Sequence, residues 1–336
     1  MSTYLERVDL PFYRQQIADF LPDEVLDFHT HVGRPEHFVR PAAPPRNWAE
    51  YVTPRAWTVD SLYRYYARLF PGKRIVPVIF GSLVGEPLVD PLNDYVATTA
   101  AHFGAYSFLL TRPEWSADEL EQRLRAGFRG LKPYPTMVRG EPATEIGIFD
   151  FLPHHHLALA QEMNLCVLLH LPRPGRLDDP DNLSELHELV RRYPRLKLVV
   201  EHLGRSYCLP GAARGLAAMR DLPTVSYGIA ACATEEVFEL ALREVGPRRL
   251  VFGSDIPYVA FRCRRLCEGD NYVNIVRGAN FTDPHLRVAP PETRDTITFY
   301  VYEQIAGVRR AAERAGLSRA GVEDIFRNNA LRLLNE

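Results

Sequence analysis

Eight short apolar runs punctuate this 336-residue chain, and helical patterns separate most of them. The runs are 25–29 (VLDFH), 75–80 (IVPVIF), 105–110 (AYSFLL), 128–132 (FRGLK), 165–170 (LCVLLH), 196–202 (LKLVVEH), 223–228 (PTVSYG) and 249–254 (RLVFGS). Each is short and rich in apolar residues, as strands covered on both faces are. Residues 116–126 open with Ser116 and place Glu119 three positions later, the sign of a capping box. Residues 149–163, 184–193 and 234–245 read as further amphipathic helices. Pro194 stops the second, and a Thr–Glu pair starts the third. Buried strands alternating with helices make a parallel sheet with helices on its faces. Eight repeats predict an α/β fold, a (β/α)8 TIM barrel, rather than an open doubly wound sheet. No G-x-G-x-x-G follows the first run, which further disfavours a dinucleotide fold. A single domain over 1–336 is expected, with its core at about 25–334.

Two connections are too long for plain loops. Residues 32–74, with a helix-like stretch at 58–70, follow the first run, and residues 256–290 follow the eighth. Both leave from strand C-terminal ends, so both are expected to cap the barrel mouth. A net charge of −2 gives no reason to expect nucleic acid or an anionic membrane as partner. No apolar stretch approaches the roughly 20 residues that span a bilayer. The N-terminus lacks the apolar core of a signal peptide, so a cytoplasmic location is expected. Five cysteines, an odd count without regular spacing, predict no disulfide framework. Cys166 reads as a core residue, Cys263 and Cys267 lie in a polar loop without the second pair that zinc would want, and Cys208 and Cys232 have no assigned role.

Barrel enzymes do their chemistry at strand C-terminal ends. Here those ends carry His29 and His31, Lys132, His170, His202 and Asp255. Residues i and i+2 of a strand share a face, so His29 and His31 project together. Nitrogen and oxygen donors of this kind suit zinc, manganese or iron. His154, His155 and His156 resemble a metal tract but fall in a helix, where consecutive side chains diverge by about 100° and cannot chelate one ion. His37, His102, His187 and His285 have no partner in the pattern.

The order and wording of these strand ends resemble the amidohydrolase superfamily, in its amidohydrolase-related branch. The motifs are DFHTHVG, GFRGLKPYP, VLLHLP, LVVEHLG, LVFGSDIPY and FRNNALRLL, spread over about residues 25–334. The branch holds metal-dependent TIM-barrel hydrolases and aminocarboxymuconate-semialdehyde-decarboxylase-like enzymes. The resemblance implies His29, His31, His170 and Asp255 as ligands of one divalent metal, with zinc expected first and manganese or iron as alternatives. Metal-bound hydroxide would attack an amide, lactone or related electrophilic carbon. Asp255 would shuttle the proton and His202 would polarise the substrate or orient the nucleophile. Three readings of Lys132 stay open: a carbamylated bridge between two metals, with His202 on the second ion; a substrate-facing amine; or a structural lysine. Arg34, Arg173, Arg176, Arg205 and Arg262 are expected around the mouth, with Arg34, Arg173 and Arg205 as carboxylate-binding forks for a small anionic substrate. Tyr134, Tyr207 and Tyr258 would line the pocket. Non-oxidative decarboxylation of a carboxylated aromatic or muconate-like compound is the alternative, and a metal-free binding protein the third reading. The sequence leaves the oligomeric state open: dimers are common for such barrels, and Tyr63-Arg64-Tyr65-Tyr66 could serve a homodimer interface as easily as a cap.

Overall fold

The structure is a computed structural model that describes residues 2–39, 45, 47–54, 56–83, 86–138, 140, 145–220 and 222–335. All eight runs form strands: β1 (Glu24–Val32), β2 (Arg74–Gly81), β3 (Tyr106–Leu110), β4 (Gly130–Lys132), β5 (Cys166–Leu169), β6 (Lys197–Val200), β7 (Val225–Gly228) and β8 (Leu250–Val251). They pair in parallel in sequence order. The sheet closes where Phe28 N donates to the Phe252 carbonyl, Asp255 N to His29 and His31 N to Ile256. Helices follow most strands, as a right-handed βα barrel requires. The predicted α/β (β/α)8 architecture is therefore observed.

Local signals explain the helix ends. Ser116 accepts from Glu119 N, and Glu119 answers with its carboxylate on Ser116 N, so the capping box forms. Thr58 caps the helix Val59–Leu69 in the first long connection. Two expectations need correction. The helix anticipated at 149–163 is two pieces, Ile148–Phe151 and His154–Glu162, because Pro153 ends the first. Thr234 does not cap its helix: its hydroxyl donates to the Tyr207 carbonyl instead.

The second long connection is not an irregular loop. It holds a small sheet of β9 (Cys263–Glu268), β10 (Asn271–Val276) and β11 (Leu286–Val288). The cysteine reading is also corrected, because Cys208 and Cys267 form a disulfide that staples the segment after β6 to β9. Cys263 is buried on the same strand. Parts of the first connection, at 40–44, 46 and 55, lie outside the described residues. Among the described residues no helix is long and apolar enough to cross a membrane.

The barrel interior has two storeys. The lower one is apolar: Leu26, Phe28, Val76, Val78, Phe108, Cys166, Leu168, Val199 and Val251 pack together, with Ala330 and Leu334 of the last helix closing the floor. The upper storey is polar and begins at a bulge in β1. Asp27 pairs with Pro77 and Thr30 with Ile79, so β1 carries one residue more than β2 across this step. Before the bulge even-numbered residues face inward and Asp27 faces outward, where Tyr66 donates to it at 2.7 Å. After the bulge the odd-numbered His29 and His31 face inward. Bulges re-aim side chains in this way.

Candidate metal centre

The upper storey gathers His29, His31, Lys132, His170, Glu201, His202 and Asp255, all nearly or fully buried apart from a half-open His170. Two groups of donor atoms, each within 4.8 Å of one another, are His29, His31 and Asp255, and His29, His170 and His202. His31 Nε2 lies 3.2 Å from both His29 Nε2 and Asp255 Oδ1, and His29 Nε2 lies 3.4 Å from Asp255 Oδ1. His202 Nε2 is 2.7 Å from His170 Nε2.

Three of the other ring nitrogens face oxygens. His202 Nδ1 faces the Ala230 carbonyl at 2.7 Å, His31 Nδ1 the Gly81 carbonyl at 3.4 Å, and His29 Nδ1 lies 2.9 Å from Glu201 Oε2. The carbonyls beside Nδ1 of His202 and His31 place the proton there and leave Nε2 as a lone pair, whereas His29 Nδ1 lies close to Glu201 without hydrogen-bonding to it. Burial, the first cause in each case, lowers the pKa of all four imidazoles, to about 4 for His202 and well below the ordinary value for His29 and His170. Neutral imidazoles whose Nε2 lone pairs converge beside a carboxylate oxygen have no good partner but a cation. The donor set therefore fits a divalent metal.

The backbone is shaped to hold this set. His202, Leu203, Gly204 and Arg205 all have left-handed φ, between 49° and 65°, and Asp255 has φ 67°. Such a turn costs about 1–3 kcal/mol for each non-glycine residue, and strain of this kind concentrates at functional sites. Two glycines make room for the buried side chains. A Cβ on Gly253 would stand 2.7 Å from that of His29, and one on Gly228 would stand 2.3 Å from the Glu201 carboxylate. Burial raises Glu201 to about 8. Lys132 Nζ has no hydrogen-bond partner among the described residues and sits over the rings of Phe80 and Tyr134 at 5.0 and 4.9 Å. Burial lowers its pKa to about 8.

Above the cluster opens a cavity of about 470 Å³. Of the sequence-derived residues, His170, His202, Asp255, Arg205, Tyr134, Tyr207 and Tyr258 line it. Tyr258 packs edge-on to His31 and Tyr134 tilts against His170. Arg34 and Arg173 do not line it. Arg34 is largely exposed and stacks on Tyr95. Arg173 is gripped by both oxygens of Glu185, at 2.9 and 3.0 Å. Their substrate-binding role is not supported by this placement: Glu185 already takes the Arg173 guanidinium, and Arg34 lies away from the cavity. Arg262 is likewise held by Asp9, and Arg176 reaches the Arg205 carbonyl. His154, His155 and His156 lie in a helix; the last two share the Trp115 carbonyl.

Sequence reasoning misses Trp48, Arg265 and Tyr272, which line the same cavity, and sets aside His285 of the last long loop, which reaches it too. The two-residue period of β9 hints at Arg265, which is buried along with Cys263. Nothing local marks Trp48: Trp48 N reaches Asp283 at 2.9 Å and its indole reaches the Tyr272 hydroxyl at 3.1 Å, more than 220 residues away.

Comparison with known proteins follows the same line. The sequence profile described as "Amidohydrolase" matches residues 27–335. No curated protein matches the chain. Among solved structures, a zinc-bound amidohydrolase from Burkholderia multivorans is similar, at 16% identity, with 92% of this chain and 98% of that one covered and a TM-score of 0.59. A probable 2-pyrone-4,6-dicarboxylic acid hydrolase from Acinetobacter baumannii, with citric acid bound, is 14% identical, with 93% and 99% covered and a TM-score of 0.55. A 2,6-dihydroxybenzoate decarboxylase from Rhizobium is 14% identical, with 93% and 99% covered and a TM-score of 0.54.

Proposed function

This chain belongs to the amidohydrolase family, and from that premise we propose that it is a metal-dependent hydrolase of a small anionic substrate. One observation carries the reading: the Nε2 atoms of His29 and His31 converge beside Asp255, and His170 and His202 offer donor atoms close to His29. His29, His31, His170 and Asp255 would hold the ion, with zinc the first expectation, since a similar fold from Burkholderia multivorans was found with zinc. Bound there, a divalent ion would supply Lewis acidity, polarising an oxygen and acidifying water. A single ion is favoured, because His29 belongs to both donor groups and its Nδ1 already faces Glu201. Lys132 then points its amine toward the cavity wall at Tyr134 without needing to bridge.

Asp255 is the proton carrier in this reading. Its side chain is 13% exposed, so it meets both the histidines and the cavity. It takes a proton from the attacking water and returns it to the leaving group. His202 works as an acceptor. With Nδ1–H donated to Ala230 and its pKa depressed, Nε2 carries no proton to give an oxyanion. It can orient water or receive a proton. Arg205 at the rim, bonded only to the carbonyls of Leu171 and Pro172 among described residues, is free to meet a substrate carboxylate.

Decarboxylation is the second reading. It is favoured by the aromatic wall of Trp48, Tyr134, Tyr207, Tyr258 and Tyr272, which suits a flat ring. The test is a panel of carboxylated lactones, amides and hydroxybenzoates, scored in parallel for acid release and for carbon dioxide. Acid release that needs metal supports hydrolysis, and carbon dioxide release replaces it with the second reading. Asp255→Asn is expected to lower kcat by about 10²–10⁴-fold. Undiminished turnover in that variant removes the proton-carrier role, and failure to take up zinc, manganese or iron removes the metal reading.

A further inference from the structure

Arg265 is the least expected residue at the mouth. It projects from β9, in the small sheet outside the barrel, and is only 7% exposed. Its guanidinium carbon lies 4.4 Å from the Tyr272 ring centroid, 4.7 Å from Tyr300, 5.0 Å from Tyr207 and 5.9 Å from Trp48. No carboxylate among the described residues pairs with it. Nε donates to Asn274 Oδ1 at 3.0 Å and one Nη to the Ala231 carbonyl at 2.5 Å. The other Nη has no hydrogen-bond partner among the described residues. A buried cation held only by ring faces and neutral oxygens forgoes the ion pair that would offset its desolvation. Trp48, Tyr207 and Tyr272 line the cavity above the histidines, and Arg265 lines it with them. Arg265 also borders a second surface cavity, but none of its encircling rings does.

We propose that Arg265 is the anchor for a carboxylate on the substrate, and that its aromatic cage selects a flat, ring-bearing acid. This rests on the reading above that the mouth cavity receives the substrate. The cage does two things. Ring faces hold the guanidinium in one orientation by cation–π attraction, which spares the ordering cost of a free arginine. They also leave an aromatic floor on which a planar ligand can stack beside its carboxylate. Arginine suits the task because its fork meets both oxygens of a carboxylate at once, which lysine cannot do.

The test uses equilibrium binding to the zinc-loaded full-length protein, followed by tryptophan fluorescence, since Trp48 is part of the cavity wall. The probes are isophthalate and 3-carbamoylbenzoate, which have nearly the same shape but differ by one negative charge. The wild type is expected to prefer the diacid by about tenfold or more. Arg265→Gln is expected to abolish the preference. Arg265→Lys, which keeps the charge and serves should the glutamine variant fail to fold, is expected to retain only part of it. A full preference in either folded variant, or none in the wild type, overturns the proposal. Binding needs no turnover, so a wild type that prefers the diacid but hydrolyses nothing sinks the hydrolase reading and leaves this one standing. Turnover with an unchanged preference in the variants does the reverse.

Discussion

The two storeys of the barrel share strands and depth but not chemistry. Phe28 and His29 are neighbours in the chain, both essentially inaccessible, and both face the lumen. Phe28 meets Phe108 edge-on at 5.4 Å and belongs to an apolar cluster. His29 meets three other imidazoles, a carboxylate it could pair with and a lysine whose charge repels its own. In the lower storey, burial removes apolar surface from water and stabilises the fold. In the upper storey, burial strips polar groups of water and costs free energy that only partners can offset. Equal burial therefore does not mean equal contribution to stability. The upper storey is retained for what it can bind, and the lower storey carries its cost.

Three experiments would sharpen or break that contrast. Phe28→Ala is expected to cost about 3–5 kcal/mol, as truncation of a fully packed core aromatic does. Urea unfolding would measure it, and a loss below about 1 kcal/mol would mean that the lower storey is not the load-carrying core. Glu201→Gln comes next. The carboxylate beside His29 Nδ1 orients that ring, and losing it should weaken metal affinity by about 10–100-fold. Because burial already raises the Glu201 pKa to about 8, removing the charge should not lower the thermal midpoint. Competition against a chelator gives the affinity, and a wild-type value would show that Glu201 does not position the ligand.

Protonation has the smallest effect per residue. His29, His31, His170, His202 and His156 all have folded pKa values below the ordinary 6.5, with burial the first cause. The unfolded chain then binds more protons than the folded one as pH falls below 6.5, so stability declines, down to about 4 for His202 and His156. Glu201 and Asp27, raised to about 8 and about 6, and Glu303, also raised by burial, act in the opposite direction, but with His37 lowered as well six imidazoles outnumber three carboxyls. Chelator-treated protein should thus be less stable to urea at about pH 5 than at about pH 7. Equal or greater stability at the lower pH would mean that the imidazoles are not held neutral.

Much of this was legible in the chain. The eight runs and the strand-end positions of His29, His31, Lys132, His170, His202 and Asp255 follow from local periodicity, because a strand buried on both faces has few compositions open to it. Ser116 with Glu119 marked its helix start for the same reason: a cap is satisfied within four residues. Arg173 was misread because its partner Glu185 lies on the next helix, and a sequence does not show which acid an arginine reaches first. Arg265 went unseen because its meaning depends on rings contributed by 48, 207, 272 and 300.

The β1 bulge draws the line between the two kinds of information. Period-two alternation places His29 and His31 on one face, and that is a property of any strand. Which face they share is not. Strict alternation from Asp27 would have turned them outward toward the helices. One extra residue against β2 turns them into the lumen. What the sequence determined alone was the order of strands, helices and ligand-bearing ends, since these rest on interactions a few residues long. The lumen-facing histidines, the left-handed turn at 202–205, the Cys208–Cys267 staple and the cage around Arg265 were decided by tertiary structure. Each depends on groups that meet only once the barrel has closed.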